Sequence, residues 1–212
     1  MKLNPQRLDH RNDRLLLIFA RNPEPGKCKT RLAEDIGDEA ALEIYRFLLR
    51  HTASVTSELP VDKRVCYADA IWENDIWDPR IYQKRLQRGN DLGQRMHLSF
   101  QEGFADGYRK VIIIGTDLYD LDQADLEEAF KYLDNADYVL GPARDGGYYL
   151  LGMKRPDELI FRNKSWGSDR VLSQTLEDLG DEKVVLLPEK NDIDVLDDIR
   201  DNPVFDQFLK HL

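Results

Sequence analysis

The sequence has 212 residues, 42% hydrophobic and 33% charged, which suits a globular chain with a substantial core and excludes a coiled coil, a mini-protein or a disordered chain. Forty acidic against 30 basic residues leave a net charge of −10, which argues against a sequence-independent nucleic-acid binder and requires any phosphate ligand to be held by a local basic cluster. The longest aliphatic and aromatic run, at Leu15 to Ala20, falls far short of the ~20 residues of a spanning helix, and Met1 to Arg14 lacks the apolar region of a signal peptide, so a cytoplasmic protein without a membrane span is expected.

In chain order, the polar segment 1–13 reads as an N-terminal extension and 14–212 as one domain, since no repeat or long Pro/Gly/Ser linker divides it. Arg14 to Ala20 (RLLLIFA) predicts a buried strand entering the Pro- and Gly-rich loop 22–26. From Asp38, the helical spacing of Ala41, Ile44, Phe47, Leu48 and Val55 predicts a helix that Leu59-Pro60 stops. Lys63 to Tyr67 and Ile81 to Leu86 read as strands, and Leu92, Met96, Phe100 and Phe104 as one face of a helix starting near Asp91.

Val111 to Ile114 is β-branched throughout, as in a parallel strand covered on both faces, and it ends abruptly in Gly115-Thr116-Asp117. A helix with Leu126, Ala129, Phe130 and Leu133 inward follows, then strands at Tyr138 to Leu140 and Tyr148 to Met153 around a Gly-rich turn. Ser168 is the expected N-cap of a helix carrying Val171, Leu172, Thr175, Leu176 and Leu179, and a strand at Val184 to Leu187 and a C-terminal helical region complete the chain. This alternation predicts an α/β domain with a mostly parallel sheet and crossover helices.

In such sheets ligands bind beyond the carboxyl ends of the strands. After the first strand, Arg21 to Arg31 carries four basic residues against one acid, with Gly26 and a helix start; this is either a phosphate cradle or a solvated basic loop. Gly26-Lys27-Cys28-Lys29-Thr30 is not a P-loop, because the upstream Gly is missing and Lys27 is not followed by Ser or Thr. Asp117 leaves the best buried strand and is the preferred candidate for a divalent cation, whereas Asp120 or Asp122 reads as the cap of the next helix. Asp192-Ile193-Asp194 offers further carboxylates in an acid-rich stretch. Asp145-Gly146-Gly147-Tyr148 is either a hairpin turn or a place where backbone meets substrate, with Asp145 binding a hydroxyl or polarising an acceptor. Cys28, Cys66 and the four histidines show no zinc spacing.

Six segments, in order, resemble the DUF2064 branch of the GT-A-fold nucleotide-diphospho-sugar transferase superfamily: 19–32 (FARNPEPGKCKTRL), 90–96 (NDLGQRM), 115–117 (GTD), 141–149 (GPARDGGYY), 166–169 (WGSD) and 192–194 (DID). The resemblance implies a Rossmann-like GT-A sheet that binds a nucleotide sugar or nucleoside triphosphate through Mg²⁺ or Mn²⁺. It places Arg21, Gly26, Lys29 and Arg31 on the phosphates, Asp91 and Gly93 at the nucleotide pocket, Asp117 and Asp194 on the metal, and Asp145 on the side of an unknown small-molecule acceptor. Tyr119 stands where the branch usually carries Pro. The similarity extends to molybdenum-cofactor and phospholactate guanylyltransferases. Glycosyl transfer, the usual assignment of the branch, is the activity the resemblance implies, with nucleotidyl transfer releasing pyrophosphate, or noncatalytic nucleotide binding, as alternatives.

Overall fold

The computed structural model describes residues 12–209, so most of the segment expected as an extension, 1–13, and also His10 and His211, lie outside the described residues. Strand β1, Arg14–Ala20, is the axis of the sheet. Its side chains alternate between two cores: Leu16, Ile18 and Ala20 join Tyr45, Ile112 and Phe130 on one face, while Leu15 and Leu17 join Met96, Phe100, Val111 and Ile113 on the other. A strand buried on both faces needs apolar residues at consecutive positions, which is why RLLLIFA shows no polar alternation.

The remaining strands are β2 (Asp62–Tyr67), β3 (Tyr82–Leu86), β4 (Lys110–Ile114), β5 (Tyr138–Pro142), β6 (Tyr148–Met153) and β7 (Val184–Leu186). Their order is β3-β2-β1-β4-β6-β5-β7. All neighbours pair in parallel except β6, which runs antiparallel to both β4 and β5, so the expectation of a mostly parallel sheet holds. The helices are α1 (Thr30–Ile36), α2 (Asp38–Ser57), α3 (Leu92–Ala105), α4 (Gln123–Tyr132) and α5 (Val171–Leu179), and the C-terminal helical region consists of 3-10 turns at Leu196–Asp198 and Pro203–Phe208. A third core joins Leu32 of α1 and Ile44 and Leu48 of α2 to Ile193, Ile199 and Phe205, fastening the end of the chain beside the loop that follows β1.

Capping differs from expectation at one helix. Asp91 caps α3 by accepting from Gln94 N–H at 2.8 Å, and Asp122 caps α4 in a reciprocal box with Asp125. Ser168 does not cap α5: Arg170 is the N-cap residue and makes no side-chain cap bond. Instead, Leu172 N–H in the first turn of α5 donates to the Gly146 carbonyl at 2.9 Å. The connection between β5 and β6 thus supplies the acceptor that a local side chain would otherwise provide.

Candidate functional site

The loop after β1 is shaped by Asn22, which is 2% exposed. Its side-chain amide donates to the Ala70 carbonyl at 2.8 Å and accepts from Ala70 N–H at 3.2 Å, while its own carbonyl accepts from Glu24 N–H and from the Cys28 thiol. The buried thiol is pushed above its ordinary range by desolvation, as befits a packing group. Arg21 N–H donates to the Tyr45 hydroxyl at 2.9 Å. Lys29 ends the loop with φ 52°, a left-handed conformation that costs a residue with a Cβ, and its carbonyl begins α1 by accepting from Ala33 N–H. From this backbone the Lys29 side chain, 7% exposed, reaches the carboxylate of Asp117 at the exit of β4.

Asp117 is fixed through its main chain. Its carbonyl accepts from Ile193 N–H at 2.9 Å, and Leu118 and Asp192 form a β-bridge. Ile193 is buried, so in this extended stretch Asp192 and Asp194, one residue to either side, turn the opposite way, toward the cleft. Asp194 pairs with Arg31 at 2.8 Å, and the Asp198 carboxylate holds the turn by accepting from the N–H groups of Asp194 and Val195. Lys190 ties the same segment to the β4–α4 loop through the Asp120 carbonyl at 2.7 Å and the Asp125 carboxylate at 2.9 Å.

Between β5 and β6, both readings of Asp145-Gly146-Gly147 apply. The segment is a turn, with Gly146 at φ 87° and the Asp145 carboxylate accepting from Gly147 N–H at 2.8 Å. It also borders the cleft beside Asp192. Burial, then the negative charges of Asp145 and, more weakly, Asp117, push the Asp192 acid up to about 6, with Lys29 opposing. A carboxylate at Asp192 that two neighbouring carboxylates disfavour suits a site that receives a cation.

These groups line a cleft of about 740 Å³ beyond the carboxyl ends of β1 and β4. Arg21, Lys29, Arg31, Asp91, Asp117, Asp145 and Asp194 all face it; Gly26 and Gly93 do not. Gly26 serves the loop turn at φ 70°, in open space. Gly93 packs beneath Trp166, where a Cβ would lie 2.7 Å from the indole. A second cavity of about 220 Å³ opens from the same carboxylates, walled by Leu92, Met96, Tyr148, Tyr149, Trp166 and Val171. In the sequence Asp192 stands only as a companion of Asp194; the apolar Ile193 between them is the signal that both carboxylates face one way.

Among the described residues no three His, Cys, Asp or Glu side chains form a ready-made metal cage. The donor set instead fits a hard cation of the Mg²⁺ or Mn²⁺ kind, held by one or two carboxylates and completed by ligand phosphates.

The sheet order, the single reversed strand and the cleft at the carboxyl ends define a single-domain GT-A-like nucleotidyltransferase fold. Residues 51–168 match the family described as "Uncharacterized protein conserved in bacteria (DUF2064)", and the chain belongs to it. A crystal structure from Desulfovibrio desulfuricans G20, assigned provisionally as a nucleotide-diphospho-sugar transferase, is 30% identical, aligns over 94% of this chain and 95% of its own, and has a TM-score of 0.83. The inositol-1-phosphate CTP transferase of T. maritima (14% identity, 92% and 95% coverage, TM-score 0.56) and the manganese complex of Rv0371c from Mycobacterium tuberculosis H37Rv (13%, 95% and 100%, 0.53) share the fold. No curated protein matches the chain.

Proposed function

We propose that this protein is a metal-dependent transferase that uses a nucleotide-activated donor, and specifically a nucleotide-sugar glycosyltransferase. The observation that carries the reading is the pairing of loop cations with strand-end carboxylates across one cleft, Lys29 with Asp117 and Arg31 with Asp194. A diphosphate and a divalent cation complement the two halves of these pairs: phosphate oxygens engage Lys29 and Arg31, and Asp117 and Asp194, with Asp192 beside them, hold the cation. The bound Mg²⁺ or Mn²⁺ would neutralise charge developing on the departing diphosphate. Lys29 and Arg31 stabilise the same charge, Arg21 and Asp91 border the nucleotide, and Asp145, steadied by Gly147 N–H, orients the acceptor hydroxyl.

Incubation of the protein with nucleotide sugars and Mn²⁺ tests the reading. Slow release of nucleoside diphosphate and free sugar, with water replacing the acceptor, is expected and should stop on chelation. Consumption of nucleoside triphosphates with pyrophosphate release, while nucleotide sugars neither bind nor hydrolyse, would replace glycosyl transfer by nucleotidyl transfer.

Lys29→Ala and Arg31→Ala are each expected to weaken nucleotide binding by about 1.5–3 kcal/mol through lost charge-assisted hydrogen bonds, measured by calorimetry. Unchanged affinity and unchanged salt dependence in both variants would reduce the loop to a solvated surface.

A further inference from the structure

The smaller cavity constrains the chemistry of the acceptor. It shares Asp117, Asp145 and Asp192 with the large cleft, so a molecule seated in it meets the transferred group beside those carboxylates. Its walls are apolar and aromatic, Ser168 is the one hydroxyl residue besides the two tyrosines, and no Lys, Arg or His lines it. The cations of the site, Arg21, Lys27, Lys29, Arg31 and Arg95, line the large cleft and not this cavity, with Lys29 paired to Asp117 and Arg31 to Asp194.

Resting on the glycosyl-transfer reading, we propose that this cavity takes an acceptor with no phosphate or carboxylate, a small ring-sized hydroxyl compound with one apolar face, and rejects anionic acceptors. No basic side chain lines the cavity to neutralise an anion: Lys29 is paired with Asp117, the divalent cation is shared with the donor diphosphate, and an anionic acceptor would meet the unpaired carboxylates of Asp145 and Asp192 against apolar walls. Hydroxyl groups, by contrast, donate to carboxylates, and an apolar ring face complements Trp166 and its aliphatic neighbours. At about 220 Å³ the space lies below the roughly 300–1,000 Å³ of pockets for drug-sized ligands, which limits the occupant to a small molecule. In the transfer, the acceptor oxygen bonds to the anomeric carbon of the donor sugar. The bond from that carbon to the β-phosphate oxygen breaks with its electron pair on the diphosphate, and the hydroxyl proton passes to Asp145 and then to solvent.

The experiment compares matched probes on the full-length protein with Mg²⁺: glucose and myo-inositol against glucose 6-phosphate and inositol 1-phosphate, followed by saturation-transfer NMR and by turnover with nucleotide sugars. The uncharged members are expected to bind, and the phosphorylated members to bind about 100-fold more weakly or not at all. Trp166→Ala should weaken the uncharged members about tenfold. Ser168→Lys, which adds a cation at a partly exposed position, should shift the preference toward the phosphorylated members about tenfold or more.

Equal or tighter binding of the phosphorylated members by wild type overturns the proposal, as does failure of both uncharged members to bind at tens of millimolar. A parallel thermal-shift measurement of nucleotides with Mn²⁺ separates the two readings. If nucleotides stabilise the protein while the uncharged probes fail, only the acceptor inference falls; if nucleotides have no effect, the transferase reading falls whatever the probes do.

Discussion

Asp117→Asn is expected to abolish metal-dependent nucleotide binding while leaving the fold intact. The substitution removes the negative charge but keeps an oxygen for the poorly exposed Lys29 ammonium, so the cation is not stranded as it would be beside alanine. Asp117 is anchored by its own carbonyl to Ile193 and by its neighbour Leu118 to Asp192, so the main chain at the strand exit does not depend on the side chain's charge. In wild type, a nucleotide with Mn²⁺ at about one hundred times its Kd should stabilise the protein by about 2.7 kcal/mol. In the variant that increment should vanish at the same concentrations while the ligand-free melting temperature changes little. Equal Mn²⁺-dependent stabilisation of both proteins would remove Asp117 from the metal site.

Gly146→Ala is expected to cause the largest loss of stability. At φ 87° a Cβ is strained, and it would also stand 2.2 Å from the Asp169 carbonyl oxygen and 2.5 Å from the Asp169 Cα, backbone atoms that cannot turn aside. Relief of that clash pushes the turn away from the start of α5 and breaks the bond from Leu172 N–H to the Gly146 carbonyl. The combined cost is about 3 kcal/mol or more, against roughly 0.4–1 kcal/mol gained from a stiffer unfolded chain, so the net loss of at least roughly 2 kcal/mol lowers the Tm by roughly 4–10 °C. Gly26→Ala provides the comparison: φ is 70°, but nothing lies within 4 Å of the added atom, so only the conformational cost of ~1 kcal/mol should appear. Equal melting temperatures for the two variants would show that contact with Asp169 does not limit the turn.

What the sequence disclosed depended on how local the cause was. β1 and β6 begin and end where their apolar runs do, and β4 gains only Lys110, because a strand buried on both faces is written in consecutive residues. The cap of α3 was legible because Asp91 bonds a group three residues away; the start of α5 was not, because its acceptor comes from Gly146, across the turn between two strands. Asp122 settles the choice of cap for α4, again through a local bond. Gly93, placed at the nucleotide pocket by resemblance, lies under Trp166, a neighbour that only the tertiary packing supplies. Tyr119, the departure from the family pattern, stacks on Phe47 with ring centroids 5.5 Å apart and meets Phe205 edge-on, so its replacement of Pro is absorbed by the third core. The pairing of Lys29 with Asp117 is likewise hidden: both residues stand out in the sequence, but nothing in their spacing shows that one touches the other.

The pair between Arg31 and Asp194 joins residues 163 positions apart, and this separation bears on how the molecule is made. During synthesis the basic loop and the exit of β4 leave the ribosome well before residues 187–205. Until those residues arrive, Asp117 lacks the amide of Ile193, Arg31 lacks Asp194, and the core around Leu32 and Ile44 lacks Ile193, Ile199 and Phe205. Contacts this distant pay their loop-closure entropy before they are repaid, so the cleft is among the last parts of the protein to acquire its form. A nascent chain stalled before Asp192 would carry all five α-helices and seven strands described above and still present an unfinished cleft.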